Sequence, residues 1–228
     1  MSQSDPGPFA PSAKQQLVLT AERLFAQHGL DGVPLRQIGT EAGSANKSAV
    51  QYHFGSKEGL IRAILLNRVE HLSRRRELLQ ARMNSEDLRS VIEANQLPLI
   101  ELAEDENCYY LPFLEQLLRF GPANPMEELP RAHRELQRAY VDHVGSLIAH
   151  VPQPLRDDRI HQVSAMCVHA CADRHRARVL GATTLAYGLH VSALLDGFVA
   201  YLNAPPSAET LAALQASAPE RPLLRPLP

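Results

Sequence analysis

At 228 residues the chain is long enough for one large domain or two small ones, and it carries a net charge of −2. No run approaches the ~20 apolar residues that cross a bilayer, and the opening MSQSDPGPFAPSAK has neither the basic start nor the apolar core of a secretory signal. Three cysteines argue against a disulfide framework and for a reducing compartment, so a cytoplasmic protein without membrane partners is expected. The charge is uneven. Residues 1–80 hold ten Lys and Arg against seven Asp and Glu, including all three lysines, while the remainder holds thirteen against eighteen. A basic module joined to an acidic one suits a nucleic-acid reader attached to a domain that avoids nucleic acid, although the imbalance alone is a weak signal.

Residues 1–11 contain three prolines and almost nothing apolar, which reads as a flexible tail. Ser12 followed by Gln15 is a capping-box signature opening a helix. Leu17, Ala21, Leu24, Phe25 and His28 trace one face of it, and Gly29 ends it. After a turn at 30–33, Pro34 suits a first helical position, where its missing N–H has no partner to lose. Leu35, Ile38 and Ala42 then form one apolar stripe. Gly43 fits the break that follows, where a left-handed residue is cheap only for glycine. Residues 46–53 can form a second helix, with Val50 and Phe54 inward and Lys47, Ser48, Gln51 and Tyr52 on the other face. That is a helix-turn-helix whose second helix has the polar, basic and aromatic mix that reads base edges and phosphates. Ser56 can cap a long helix carrying Leu60, Ile61, Ile64, Leu65, Val69 and Leu72 to about residue 81, its tail Arg74-Arg75-Arg76 reading as a solvated face.

Beyond residue 84 the pattern stays helical, divided by proline and glycine. Helices are expected at 85–103, kinked or split by Pro98, at 109–120, at 129–151, at 157–179 and at 181–202. A short helix at 208–216 precedes a proline-rich tail at 217–228. No β alternation and no internal repeat is evident. The expected fold class is all-α with about nine helices.

The run KQQLVLTAERLFAQHGLDGVPLRQIGTEAGSANKSAVQYHFGSKEGLIRAIL, from Lys14, resembles the amino-terminal domain of the TetR family of transcriptional regulators. Phe25 to Gly29, Ile38 to Ala42-Gly43, the run QYHF and the following G-S-K-E-x-L match its pattern in order. Two departures stand out. The segment between Gly43 and Phe54 is one residue longer than the commonest pattern, and Gly39 replaces a usual alanine at a propensity cost of about 1 kcal/mol. The resemblance implies a helix-turn-helix DNA-binding domain at 12–57 and a linking helix at 56–81. It further implies a ligand-binding and dimerisation domain at 82–216. The chain would then be a homodimer paired through its last two large helices, whose small residues permit close approach. It would act as a repressor released from a palindromic double-stranded DNA operator by a small-molecule effector. The implied DNA-binding residues are Ser44, Ala45, Asn46, Lys47, Ser48, Gln51, Tyr52 and His53, with Lys57 meeting a phosphate beside the backbone N–H groups of its helix start. Tyr109, Phe113, Leu117, Met166 and Tyr187 are the larger candidate lining groups of a ligand pocket, whose apolar character suggests a lipophilic molecule.

Other chemistries are less well supported. Cys167, Cys171 and His175 recur every fourth residue on one helix face and His169 points elsewhere. A single straight helix rarely closes a tetrahedral zinc site, so packed thiols and no metal are expected. There is no G-x-S-x-G, no phosphate-binding glycine loop and no H-E-x-x-H. Neither an enzyme nor a bound cofactor is expected. The alternative is a helical interaction protein that keeps the fold without specific DNA binding.

Overall fold

The computed structural model describes residues 11–46, 48–121 and 129–216. The expected tails at 1–11 and 217–228 therefore fall, but for residue 11, outside the described residues. Within them there are ten α-helices, one 3-10 turn and no strand. The helices are α1 (Ala13–His28), α2 (Leu35–Glu41), α3 (Ala49–Phe54), α4 (Lys57–Gln80) and α5 (Leu88–Glu101). They continue as α6 (Tyr110–Phe120), α7 (Arg131–Leu147), α8 (Gln153–Val179), α9 (Tyr187–Asn203) and α10 (Ala208–Ala216), with the 3-10 turn at Leu102–Glu104. No helix among the described residues is long and apolar enough to cross a membrane.

The helix ends follow local chemistry. The Ser12 hydroxyl accepts from the Gln15 N–H at 3.2 Å, Ser56 from Gly59 at 3.1 Å and Asp87 from Ser90 at 2.9 Å, each satisfying an orphan first-turn donor. Asp87, rather than Ser85, thus sets the start of α5. That helix runs through Pro98 and relaxes into the 3-10 turn just beyond it. Pro154 falls in the first turn of α8, where its lost donor is harmless, and lets that helix start at Gln153. Gly181 at φ 69° closes α8, and Ala182 N–H bonds back to Ala177. Residues 182–186 stay non-helical, with Arg174 Nη1 donating to the Leu185 carbonyl at 2.8 Å. Hence α9 begins at Tyr187, six residues later than the periodicity suggests.

One buried apolar cluster runs without interruption from Leu17 in α1 to Leu202 in α9. Packing therefore crosses the expected boundary between the amino-terminal module and the rest. The Phe25 and Phe113 rings stack across the α1–α6 seam with centroids 6.3 Å apart. Beside them Glu22, 2% exposed, accepts two hydrogen bonds from Arg68 of α4, at 3.1 and 2.8 Å. Burial works against the Arg68 charge, yet the Glu22 carboxylate outweighs it and holds the guanidinium above its ordinary value. Removing one partner of such a pair strands the other. Arg68→Ala is expected to cost about 3 kcal/mol in urea unfolding, the low end for a buried pair because Arg68 reaches solvent. The double variant Glu22→Gln/Arg68→Met should recover most of that loss.

A second ionic cluster ties the end of α8 to the 3-10 turn. Arg174, 6% exposed, donates to Glu104 at 2.5 Å, and Arg178 lies 3.5 Å from Glu104 and from Glu106. The Arg174 hydrogen bond holds the Glu104 carboxyl below its ordinary 4.5. The unfolded chain therefore takes up this proton first as pH falls. The stabilisation is complete above the ordinary value and is lost as pH drops through the lower folded value. Urea midpoints measured from pH 7 to 3 should fall faster below about pH 4.5 in the wild type than in Glu104→Gln.

The arginine run is not a solvated face. Arg74 pairs with Glu70 at the surface, but Arg75 grips Glu101 of α5 at 3.0 and 2.7 Å, and Arg76 turns inward to donate to the Asn95 carbonyl at 3.0 Å. Consecutive helix positions point about 100° apart, so three arginines in a row cannot share a face. Cys167 and Cys171 are buried with sulfurs 3.9 Å apart, and His169 pairs instead with Glu115 at 2.6 Å.

Candidate nucleic-acid interface

The interface is built by the turn before α3. Asn46 N–H donates to the Ser44 hydroxyl at 3.2 Å, and the Asn46 side-chain oxygen accepts from Ser48 N–H at 2.9 Å. This side-chain turn competes with helix geometry, so α3 starts at Ala49, three residues later than expected. Gly43 at φ 72° makes the preceding reversal.

Burial then sorts α3 into two faces. Ala49 and Val50 are 4% and 2% exposed and pack inward, with Phe54 half-buried behind them. Gln51, Tyr52 and His53 are exposed, Tyr52 at 79%. Neither Tyr52 nor His53 faces the core. Their rings meet edge-on with centroids 5.0 Å apart. Ala45, Asn46 and Ser48 are exposed around it and Ser44 is half-buried. Lys47 lies outside the described residues. Lys14, which sequence reasoning left out of the set, stands at the start of α1 with its ammonium 5.7 Å from the centre of the Phe54 ring. Only tertiary packing brings α1 there, so no local motif announces it.

Lys57 opens α4, as expected, and has a carboxylate neighbour. Its ammonium is 2.8 Å from Asp31, and this contact holds the Asp31 carboxyl below its ordinary value. At the same helix start Glu58 has its carboxyl lowered by a backbone N–H of its own residue and by the Ser56 hydroxyl. The amide groups expected to greet a phosphate already have a carboxylate beside them. In the single chain Lys57 thus has a surface carboxylate as its partner.

None of the five expected pocket residues lines the cleft between α4, α5 and α7. Phe113 and Leu117 are fully buried against α1, Met166 is on the exposed side of α8, and Tyr109 and Tyr187 are half-buried. That cleft has a volume of about 320 Å³. Its apolar wall is Val69, Met83, Val91, Leu129 and Leu136, and its polar groups include Arg76, Asn95, Gln137 and Tyr140. The stripe Leu65, Leu72 and Arg76 in α4 was legible as one face, and it would have placed Arg76 inward had the arginine run not been read as a block. The contributions from α5 and α7 carry no comparable signal.

Comparison with known proteins agrees with this geometry. Residues 17–64 match the family of bacterial regulatory proteins, tetR family. A 53-residue stretch is 36% identical to the HTH-type transcriptional repressor AcnR of Corynebacterium glutamicum, covering 23% of this chain and 28% of that protein. The match thus spans little more than a quarter of the relative's length. A transcriptional regulator from Rhodococcus sp. Rha1 superposes with a TM-score of 0.53 at 17% identity, over 86% of this chain and 100% of that one, a likeness of fold alone. The matched segment runs from the buried face of α1 through both helices of the turn motif to the first apolar turns of α4, so it is this amino-terminal module that matches the tetR family of bacterial regulatory proteins.

Proposed function

We propose that the chain is a one-component repressor, working as a homodimer that leaves a palindromic operator when a small molecule occupies the cleft between α4, α5 and α7. The observation that carries this reading is the face of α3. Its inner side is sealed into the core while Gln51, Tyr52 and His53 stand exposed together, with Tyr52 at 79%. Gln51 offers paired donor and acceptor groups for a base edge, and an aromatic ring packs on sugar or a thymine methyl. Two such helices, one per subunit, would enter successive major grooves about 34–36 Å apart. The relative's description as a repressor supports the sign of regulation.

Pairing is supported by α8 and α9. Leu189, Ala193, Gly197 and Ala200 lie along one exposed face of α9, and Met166, Val179 and Leu180 are exposed on and just beyond α8. Apolar and small groups left in water on two adjacent helices suit burial against a second copy. Coupling is supported by α4, whose 24 residues span about 36 Å. Its first turn follows α3, and its second half lines the cleft. A ligand that prefers one setting of α4 biases the spacing of the two reading helices, and that differential affinity is what releases DNA.

The test is binding of the full chain to genomic fragments, including DNA upstream of its own gene, at two salt concentrations. One set of fragments should survive moderate salt while the rest are lost, since nonspecific contacts are mainly phosphate charge. Equal, weak binding to every fragment would sink the regulator and leave an interaction protein on the same fold.

A further inference from the structure

The cleft contains a charge that no carboxylate among the described residues neutralises. Arg68, Arg75 and Arg174 each meet a carboxylate, from Glu22, Glu101 and Glu104. Arg76 does not. Its Nε–H donates to the Asn95 carbonyl at 3.0 Å, and among the described residues no carboxylate pairs with it. Burial pulls its pKa below the ordinary arginine value, opposed only by the Tyr110 and Tyr140 phenols and the Cys167 thiol. Those groups are themselves pushed upward by their surroundings, Tyr140 to about 12, so all are neutral at physiological pH. A desolvated guanidinium with a single carbonyl partner is a costly thing to keep unless something anionic joins it.

A second buried group points the same way. Tyr140 is 8% exposed, lines the same cleft, and its hydroxyl makes no hydrogen bond of normal geometry. The Gln96 side chain acts against its burial, yet no hydrogen bond of normal geometry joins the two. A neutral phenol is a donor, and a donor beside a guanidinium is the pairing that grips a carboxylate. The other wall is apolar, formed by Val69, Met83, Val91, Leu129 and Leu136. Glu77, the one carboxylate among the described residues lining the cleft, is exposed and is not among the groups acting on Arg76. The volume of about 320 Å³ holds roughly ten heavy atoms, at ~30 Å³ for each water-sized unit.

We propose that this cleft binds an amphiphilic monocarboxylate of about ten heavy atoms, its carboxylate bridging the Arg76 guanidinium and the Tyr140 hydroxyl and its aliphatic or aryl tail lying on the α4–α5–α7 wall. The proposal rests on reading the cleft as the effector site, and it replaces the purely lipophilic ligand expected from the sequence. One guanidinium and one neutral hydroxyl balance a single charge, which favours a carboxylate over a phosphate. A neutral molecule of the same shape leaves both buried donors unpaired, and such sites reject analogues strongly.

The experiment is calorimetric titration of the full chain with octanoate and 3-phenylpropanoate. Octanamide, 3-phenylpropanamide, acetate and inorganic phosphate serve as matched controls, all at constant ionic strength. Both long carboxylates should bind saturably at one per chain and at least tenfold more tightly than their amides. Acetate, lacking the tail, and phosphate should bind weakly. Arg76→Met should bring the carboxylate-to-amide ratio close to one, and Tyr140→Phe should lower it several-fold. Arg76→Met removes an unpaired buried charge, so its urea midpoint should equal or exceed the wild type's, which separates lost binding from lost folding. Equal affinity for amides and carboxylates, no saturable binding of either carboxylate, or an unchanged ratio in Arg76→Met would each overturn the proposal. Operator affinity is read in parallel. Carboxylates that bind without altering it would leave this site standing and remove its effector role, whereas operator release by the amides alone would do the reverse.

Discussion

Gln51→Ala/Tyr52→Ala should weaken binding to the selected operator at least thirtyfold while leaving the fold intact. Both side chains are exposed and neither belongs to the apolar cluster, so their loss should change stability by no more than about 0.5 kcal/mol. A base-reading contact is worth about 1–3 kcal/mol of discrimination, so two together give at least about 2 kcal/mol, or close to thirtyfold. The loss should be specific. Binding to unrelated DNA, governed by phosphate charge, should barely move, and its salt dependence should be unchanged because no cation has been removed. Fluorescence anisotropy on operator and scrambled duplexes at two salt concentrations measures both quantities. An equal loss on both duplexes would mean that α3 merely supports an electrostatic surface elsewhere.

Gly197→Arg should convert a dimer to monomers without harming the subunit. A side chain at Gly197 would meet nothing within 4 Å in the single chain, and arginine improves on glycine in a helix by somewhat under about 1 kcal/mol. The isolated subunit should therefore be as stable as before or slightly more so. Across a two-fold interface each substitution occurs twice, and two unpaired guanidinium groups would be buried against one another. Breaking charge balance in a buried setting costs about 3–5 kcal/mol, enough to shift a micromolar dimer almost wholly to monomer. Light scattering coupled to gel filtration, with circular dichroism for helix content, separates the two effects. A dimer that survives Gly197→Arg would move the interface off this face of α9. Operator binding should fall together with dimerisation, since each half-site then has to be captured independently.

Much of the architecture was written locally. Ser12, Gly29, Gly43 and Ser56 fix helix ends through contacts within a few residues, and the apolar stripes of α1 and α4 are periodic, so the all-helical class and the helix-turn-helix follow from short-range chemistry. The exposed face of α3 follows as well, because Val50 and Phe54 commit the opposite side to the core. Where local signals compete, the sequence misleads. The Asn46 side-chain turn delays α3, and Gly181 with the Arg174–Leu185 hydrogen bond delays α9. What lay beyond local reading is which distant groups meet. Lys57 has a phosphate-facing address in the chain but finds Asp31, 26 positions earlier, in space. Arg76 sits in a run of three identical residues, and only the packing of α5 and α7 against α4 leaves it desolvated, without a carboxylate among the described residues, in the same cleft as Tyr140. Helix phase is a property of neighbouring residues and can be read along the chain. Charge compensation and cavities are properties of segments that meet across the fold, and only the tertiary structure decides them.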